Sequence, residues 1–164
     1  MKRILLLGCG GTAANNFVSS LRKGGHRYHI VGTDLNKYHL EASNVDEKIL
    51  MPECDTIKFA ELVSQYEKEF DIDLIYAAPD VLVQRLSLHR DKFNAKTLLP
   101  SHRAISICHD KFISFKILEN KRVPVPLTRD FDSFIDIEKA FNEIPSHKLW
   151  LRMRKGAGSK AALP

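Results

Sequence analysis

The 164-residue sequence has few cysteines and no obvious metal-binding pattern. Cys9, Cys54 and Cys108 are widely spaced, and an odd number of cysteines without a Cys-x-x-Cys pair argues against a disulfide framework and a zinc site. The seven histidines also lack ligand spacing, since no acidic or thiol partner accompanies His102 and His109. From the sequence we therefore assign neither a metal ligand nor a catalytic side chain.

Long hydrophobic runs are absent as well. No apolar stretch approaches the ~20 residues that span a bilayer. The run at residues 4–7 is too short for a signal peptide and is interrupted at once by Gly8. Because hydrophobic residues still make up 44% of the chain, a core can form. We expect a cytoplasmic protein with no membrane partner.

Positive charge is concentrated near the end of the sequence. The net charge is +5, and Arg152, Arg154, Lys155 and Lys160 fall within the last thirteen residues. This cluster predicts either a solvated basic surface or an anion site. Nucleotide phosphate suits it better than a nucleic-acid duplex, which normally needs a longer basic stripe on a recognisable reading element. We expect no nucleic-acid partner.

Apolar runs alternate with helical periodicity along most of the chain. The pattern predicts strands at 3–8, 28–33, 48–51, 73–78 and 97–99, and helices at 12–23, 56–69, 81–93 and 101–120. Such alternation indicates an α/β fold, a Rossmann-like, doubly wound parallel sheet of about five strands. Its buried centre is predicted to contain Leu5, Leu7, Ile30, Val31, Leu74 and Ile75.

The two prolines of the sequence Val-Pro-Val-Pro at 123–126 indicate a stiff, extended connector. We place the domain boundary there, giving domains at 1–122 and 123–164. The second segment contains a predicted helix at 134–142, a strand at 149–153 and a glycine loop at 155–160. Because a strand and a loop cannot bury a core, we expect the second domain to be incomplete at Pro164.

The first glycine-rich turn spans residues 8–13 and joins a predicted strand to a helix. Glycines there allow a ligand close to the backbone, and a helix N-terminus favours an anion. The turn is either a purely structural feature, a dinucleotide fingerprint or a site for a substrate carboxylate or phosphate. Its candidate substrate-binding residues are Gly8, Gly10, Gly11 and Thr12.

Two aspartates follow predicted strands of the same sheet. Asp34 and Asp80 both fall at carboxyl ends of strands, where open α/β sheets place their ligands. Asp34 is a candidate to hold a ribose hydroxyl or another part of the substrate, and it could equally cap local backbone. Asp80 carries the same alternatives.

The second half carries an ordered set of motifs. Asp110-Lys111 is followed by Val-Pro-x-Pro-x-Thr at 123–128, by a strand carrying Arg152, and by the loop Gly-x-Gly-Ser-Lys at 156–160. This order resembles the ATP-grasp superfamily. Residues 8–16, Gly32 to Asp34, and Pro100 resemble the N-terminal domain of carbamoyl-phosphate-synthase-like and biotin-carboxylase-like members.

The resemblance implies a role for each matching residue. Lys111 and Arg152 are expected to contact ATP phosphate, and a glycine loop formed by Gly156, Gly158, Ser159 and Lys160 is expected to fold over the phosphates. Such loops provide successive amides that bind anions. Two positions depart from the family pattern: Arg122 replaces a glycine and Met153 replaces a proline.

The resemblance also implies an activity. ATP-grasp ligases use ATP to phosphorylate a carboxylate, and an amine or similar nucleophile then displaces the phosphate. The expected ligands are therefore ATP, magnesium and a small carboxylate, with the magnesium ligands and adenine hinge C-terminal to Pro164. This chain by itself is expected to be inactive. Because the N-terminal domain often lies at subunit interfaces in such enzymes, a homo-oligomer is compatible with the resemblance. The alternatives are an NAD(P)- or nucleotide-sugar-binding Rossmann domain and a non-catalytic binding domain.

Overall fold

The structure, a computed structural model, describes residues 1–156. The chain forms two compact units that divide between His102 and Arg103, and each is considered by itself. The N-terminal unit is residues 1–102, and the C-terminal unit is described over residues 103–156. The sequence-based domain boundary at residues 122 and 123 stays a prediction.

Strands and helices alternate through the N-terminal unit. In chain order they are β1 (Lys2–Leu7), α1 (Thr12–Lys23), β2 (Tyr28–Asp34), α2 (Lys37–Ala42), β3 (Glu47–Leu50), α3 (Thr56–Glu69), β4 (Leu74–Ala77), α4 (Asp80–Leu88) and β5 (Lys96–Thr97). A short 3-10 turn, Arg90–Lys92, follows α4.

The strands form one parallel sheet in the order β3-β2-β1-β4-β5. At its centre, Leu5 pairs with Val31 on one side and with Ile75 on the other. The predicted five-stranded, parallel α/β fold is confirmed. Because β1 pairs in parallel with both β2 and β4, the carboxyl ends of these three strands lie at one edge of the sheet.

The two faces of the sheet hold separate hydrophobic clusters. Leu5 and Leu7 pack with Phe59 of α3, whereas Leu6 packs with Val18 of α1 on the other face. This follows from the alternation of side chains along a strand. Five of the six predicted central residues are buried, and the sixth, Leu74, is only partly buried.

The C-terminal unit contains three helices among the described residues. They are α5 (His102–His109, which starts at the last residue of the other unit), α6 (Lys111–Asn120) and α7 (Phe134–Glu143). The single helical stretch predicted at 101–120 is two helices, because the Asp110 side chain caps the second. The predicted strand at 149–153 forms only a β-bridge at Leu151 within the described residues.

Helix α2 is absent from the sequence-based prediction. It has six residues, too few to show a helical period, and its start is set by Asn36, whose side chain accepts hydrogen bonds from Tyr38 N and His39 N. Within residues 1–156, no helix is long and apolar enough to cross a membrane.

Candidate functional site

The first glycine turn is shaped by close packing against the loop after β4. Gly8 has φ 73°, and a Cβ atom added there would lie 2.5 Å from the Pro79 ring. Its N–H donates a hydrogen bond of 2.8 Å to Thr33 O at the end of β2. The turn therefore requires glycine at this position for reasons of conformation and space.

Asp34 braces this turn from β2. One carboxylate oxygen accepts the N–H of Gly10 at 3.0 Å, and the other accepts the N–H of Asn36 at 3.0 Å. The side chain is 12% exposed, so little of the carboxylate faces solvent. The sequence allowed two roles for Asp34, ligand binding and capping of local backbone. These contacts show that Asp34 caps local backbone.

Three other candidate residues at this edge of the sheet are exposed to solvent. Gly11 and Thr12 are exposed at the start of α1, which has no side-chain cap. Asp80 is exposed in the first turn of α4. The packing of Gly8 against Pro79 brings the glycine turn next to the start of α4. Whether Gly8 to Thr12, Asp34 and Asp80 bind a substrate stays a prediction.

The C-terminal unit contains a buried carboxylate at the start of α6. Asp110 is 3% exposed, and its Oδ1 accepts hydrogen bonds of 3.1 Å from the N–H groups of Phe112 and Ile113. A negative charge at a helix N-terminus is favourable because it satisfies free amides and the helix dipole. This cap fixes the place of the next residue, Lys111.

Arg154 neutralises that carboxylate through two parallel hydrogen bonds. Its Nε lies 3.2 Å from Asp110 Oδ1 and one terminal nitrogen lies 2.8 Å from Oδ2. The other terminal nitrogen donates to Asp130 Oδ2 at 2.7 Å, and the guanidinium carbon lies 5.3 Å from the centre of the Phe112 ring. Hydrogen bonding from Arg154 holds the pKa of Asp110 below its usual value.

Lys111 contacts the segment that leads into the second glycine loop. Its main-chain N–H donates to Arg154 O at 3.0 Å, and its ammonium group lies 3.3 Å from Arg154 O and 2.8 Å from Gly156 O. Gly156 has φ 109°, a conformation that favours glycine. An ammonium group has three donors, and two of them reach carbonyl oxygens here.

An open, mainly apolar cavity of about 520 Å³ adjoins these residues. Lys111, Arg152 and Trp150 are among its lining side chains. Arg152 is exposed and pairs with no carboxylate among residues 1–156. The remaining contributors come from α6, α7 and the segments beside them, and include Phe112, Phe115, Leu127, Phe131, Ile137, Ala140, Ile144 and Leu149.

The sequence identified only part of this arrangement. Lys111, Arg152 and Gly156 come to one region of the C-terminal unit, whereas Gly158, Ser159 and Lys160 lie outside the described residues. Asp110 could have been recognised as an N-cap from its place before a helix. Arg154 stood out only as one of several basic residues. Nothing in the sequence marked Asp130 as its second partner.

The described residues do not offer a magnesium site. No three His, Cys, Asp or Glu side chains converge within residues 1–156. Asp130, which lines the cavity, and Asp110, which caps α6, both pair with Arg154. Cationic Lys111 and Arg152 beside an apolar cavity do fit the phosphate and base of a nucleotide.

Solved structures with the same fold include three enzymes. No protein-family model matches the chain, and no curated protein matches it. N5-carboxyaminoimidazole ribonucleotide synthetase from Thermotoga maritima is 22% identical, with a TM-score of 0.66, and the match covers 95% of this chain and 39% of that one. L-amino acid ligase from Bacillus licheniformis is 15% identical, with a TM-score of 0.71 over 95% of this chain and 38% of that one.

The third is the biotin carboxylase domain of 2-oxoglutarate carboxylase from Hydrogenobacter thermophilus, solved as a dimer with MgADP, ADP and bicarbonate. It is 16% identical, with a TM-score of 0.68 over 99% of this chain and 37% of that one. All three are ATP-grasp enzymes. The chain has the fold of the N-terminal part of ATP-grasp enzymes. It spans less than two fifths of the length of these structures.

Proposed function

We propose that this chain supplies the N-terminal domain and the first phosphate-binding elements of an ATP-dependent carboxylate ligase of ATP-grasp type. The observation that carries the proposal is the contact between Lys111 and Gly156. A lysine at the start of one helix meets the first residue of a glycine loop 45 positions later. Such a pairing places a cation at the first residue of a glycine loop, and the successive amides of such loops suit polyphosphate.

Each basic residue of the site then has a defined task. Lys111 uses its third donor for a phosphate oxygen, and Arg152, which has no carboxylate partner among residues 1–156, provides a second cation. The loop of Gly156, Gly158, Ser159 and Lys160 covers the phosphates. ATP phosphorylates a small carboxylate, and an amine or similar nucleophile displaces the phosphate. Magnesium, when bound, balances the polyphosphate charge.

The contacts of Asp34 favour this proposal over a dinucleotide-binding domain. A ribose-binding carboxylate must present an accessible oxygen to the sugar hydroxyls. Both oxygens of Asp34 already accept a main-chain N–H, from Gly10 and Asn36, and the side chain is only 12% exposed. The same proposal includes a subfamily, for which carbamoyl-phosphate-synthase-like enzymes are the nearest type. It also includes a small carboxylate as the substrate and is compatible with a homo-oligomer.

Trp150 offers a direct test, because it is the only tryptophan in the sequence and lines the cavity next to Arg152. MgATP should change its fluorescence with a midpoint of about 1 mM, which corresponds to roughly 4 kcal/mol of binding. Lys111→Ala should weaken the response, and Asp34→Ala, judged only if it remains folded, should leave it unchanged.

NADH provides the comparison with the alternative function. The proposal expects no thermal stabilisation by millimolar NADH. A response of Trp150 that is lost in Asp34→Ala and retained in Lys111→Ala would overturn it. So would stabilisation by NADH without any response to MgATP.

A further inference from the structure

The basic segment that precedes the glycine loop contains two arginines in different surroundings. Arg152 is exposed and pairs with no carboxylate among residues 1–156. Arg154, two residues later, has all three guanidinium nitrogens engaged by Asp110 and Asp130. Two arginines so close in sequence therefore differ in whether they can receive an additional anion.

The charge of Arg154 is already balanced on two sides. Asp110 is buried, and it meets the guanidinium group through two hydrogen bonds of 3.2 and 2.8 Å. Asp130 takes the remaining terminal nitrogen at 2.7 Å. A phosphate group placed there would be repelled by both carboxylates and would find only the two N–H groups that Asp110 and Asp130 do not take. Direct contact with a polyphosphate is thus unfavourable for this side chain.

The main chain of Arg154 is held at the same place. Its carbonyl oxygen accepts the N–H of Lys111 at 3.0 Å, while the Lys111 ammonium group reaches Gly156 O at 2.8 Å. We call residues 154–156 the loop root. The loop root is joined to the first turn of α6 by the Arg154 side chain, by its main chain and by Lys111.

We propose that Arg154 is a positioning residue for polyphosphate binding. It fixes the loop root against the N-terminus of α6, so that the ammonium group of Lys111 is held in one place for the anion. Without this link the loop root and Lys111 would move independently, and binding would lose the benefit of a preorganised cation. This inference rests on the proposed function, from which it takes the anion.

Amide hydrogen exchange measured by NMR tests the geometric part without any ligand. In Arg154→Gln, exchange of the Lys111 amide should accelerate by about tenfold, the effect of losing one hydrogen bond. The amides of Phe112 and Ile113 should change far less, because Asp110 still caps them. Equal acceleration of all three amides would show a general loss of stability and would overturn the inference. Arg152→Gln is the matched control and should leave all three unchanged.

A titration with inorganic tripolyphosphate, followed by the NMR signals of Lys111 and Gly156, tests the functional part. Arg154→Gln and Arg154→Lys should both weaken binding by about tenfold, since lysine is a point charge that cannot make the two-pronged contact with Asp110. If Arg154 bound phosphate directly, Arg154→Lys would retain most of the affinity. Wild-type affinity in Arg154→Lys would therefore overturn the inference.

Two further results distinguish failure of the proposed function from failure of the inference about Arg154. If tripolyphosphate does not shift Lys111 in the wild type, the proposed function fails, and the exchange comparison alone decides whether Arg154 fixes the loop root. If Arg154→Gln does not fold, Arg154→Lys replaces it, because lysine keeps the positive charge but cannot make the two-pronged contact with Asp110. That variant should accelerate exchange of Lys111 selectively, and an unchanged Lys111 would contradict the inference.

Discussion

The ammonium group of Lys111 donates a hydrogen bond of 2.8 Å to the carbonyl oxygen of Gly156, 45 residues further along the chain. This contact joins a helix N-terminus to a glycine loop. The same helix start carries Asp110, whose carboxylate binds Arg154 just before the loop. Two consecutive residues at the start of α6 thus hold the basic segment. Lys111 contacts it through its main chain and its side chain, and the capping residue Asp110 contacts it through its side chain.

The first prediction concerns the turn after β1. Gly8→Ser should lower the free energy of unfolding by about 2–4 kcal/mol, since it places a Cβ in a left-handed conformation and against Pro79. Gly11→Ser is the matched control, because a Cβ there would meet no atom within 4 Å and serine is a good helix cap. Urea denaturation followed by circular dichroism measures both. Equal stability of the two variants would contradict the close packing of Gly8 against Pro79.

The second prediction separates the two aspartates at the sheet edge. Asp34→Ala should destabilise the N-terminal unit by about 1–3 kcal/mol, because it leaves the amides of Gly10 and Asn36 without their acceptor. Asp80→Ala should cost less than about 1 kcal/mol, the loss of an exposed charge in a helix's first turn. Thermal unfolding compares them. A larger cost at Asp80 would show that Asp34 is not a structural brace.

Much of the N-terminal unit could be predicted from its sequence, and the reason is physical. Strands buried on both faces, such as β1, read as uninterrupted apolar runs, and Gly8 marks the turn after it. Helix α2 could not be predicted because six residues show no period. The contacts of Arg154 were not predictable either, since Asp110 and Asp130 lie 44 and 24 residues away and a salt bridge leaves no local pattern.

Acidification provides the third prediction, through Asp110. Arg154 holds the pKa of this carboxyl below the value of about 3.9 in an unfolded chain, so the ionised form is favoured by folding. Its contribution to stability is complete above about pH 5 and is lost as pH falls through the lowered pKa. Trp150 fluorescence reports on unfolding of the C-terminal unit across this range.

Two variants isolate that effect. Asp110→Asn retains a helix cap but not the charge, and Arg154→Gln removes the cause of the lowered pKa. Both should be less stable than the wild type at pH 7, and the difference should shrink below about pH 4. A difference that is the same at pH 3 and pH 7 would contradict the ion pair.

The fourth prediction concerns the end of α6, where the sequence departs from the family pattern. Arg122 has φ 58°, and the amides of Arg122 and Val123 bond to Glu119 O and Leu118 O, the pattern of a helix end that favours glycine. Arg122→Gly should stabilise the C-terminal unit by about 0.5–1 kcal/mol. Lys121→Gly, at φ −88°, should destabilise it instead. Loss of stability in Arg122→Gly would contradict the conformation.

The proposed function requires that nucleotide phosphate binds at Lys111, Arg152 and the glycine loop. The most direct measurement is an NMR titration of the 164-residue chain with MgATP, with assigned backbone signals. Binding should be weak, about 1 mM, with shifts at Lys111, Arg152 and Gly156 that disappear in Lys111→Ala. Shifts centred on Gly8 to Thr12 and Asp34, with Lys111 and Arg152 unmoved, would contradict it.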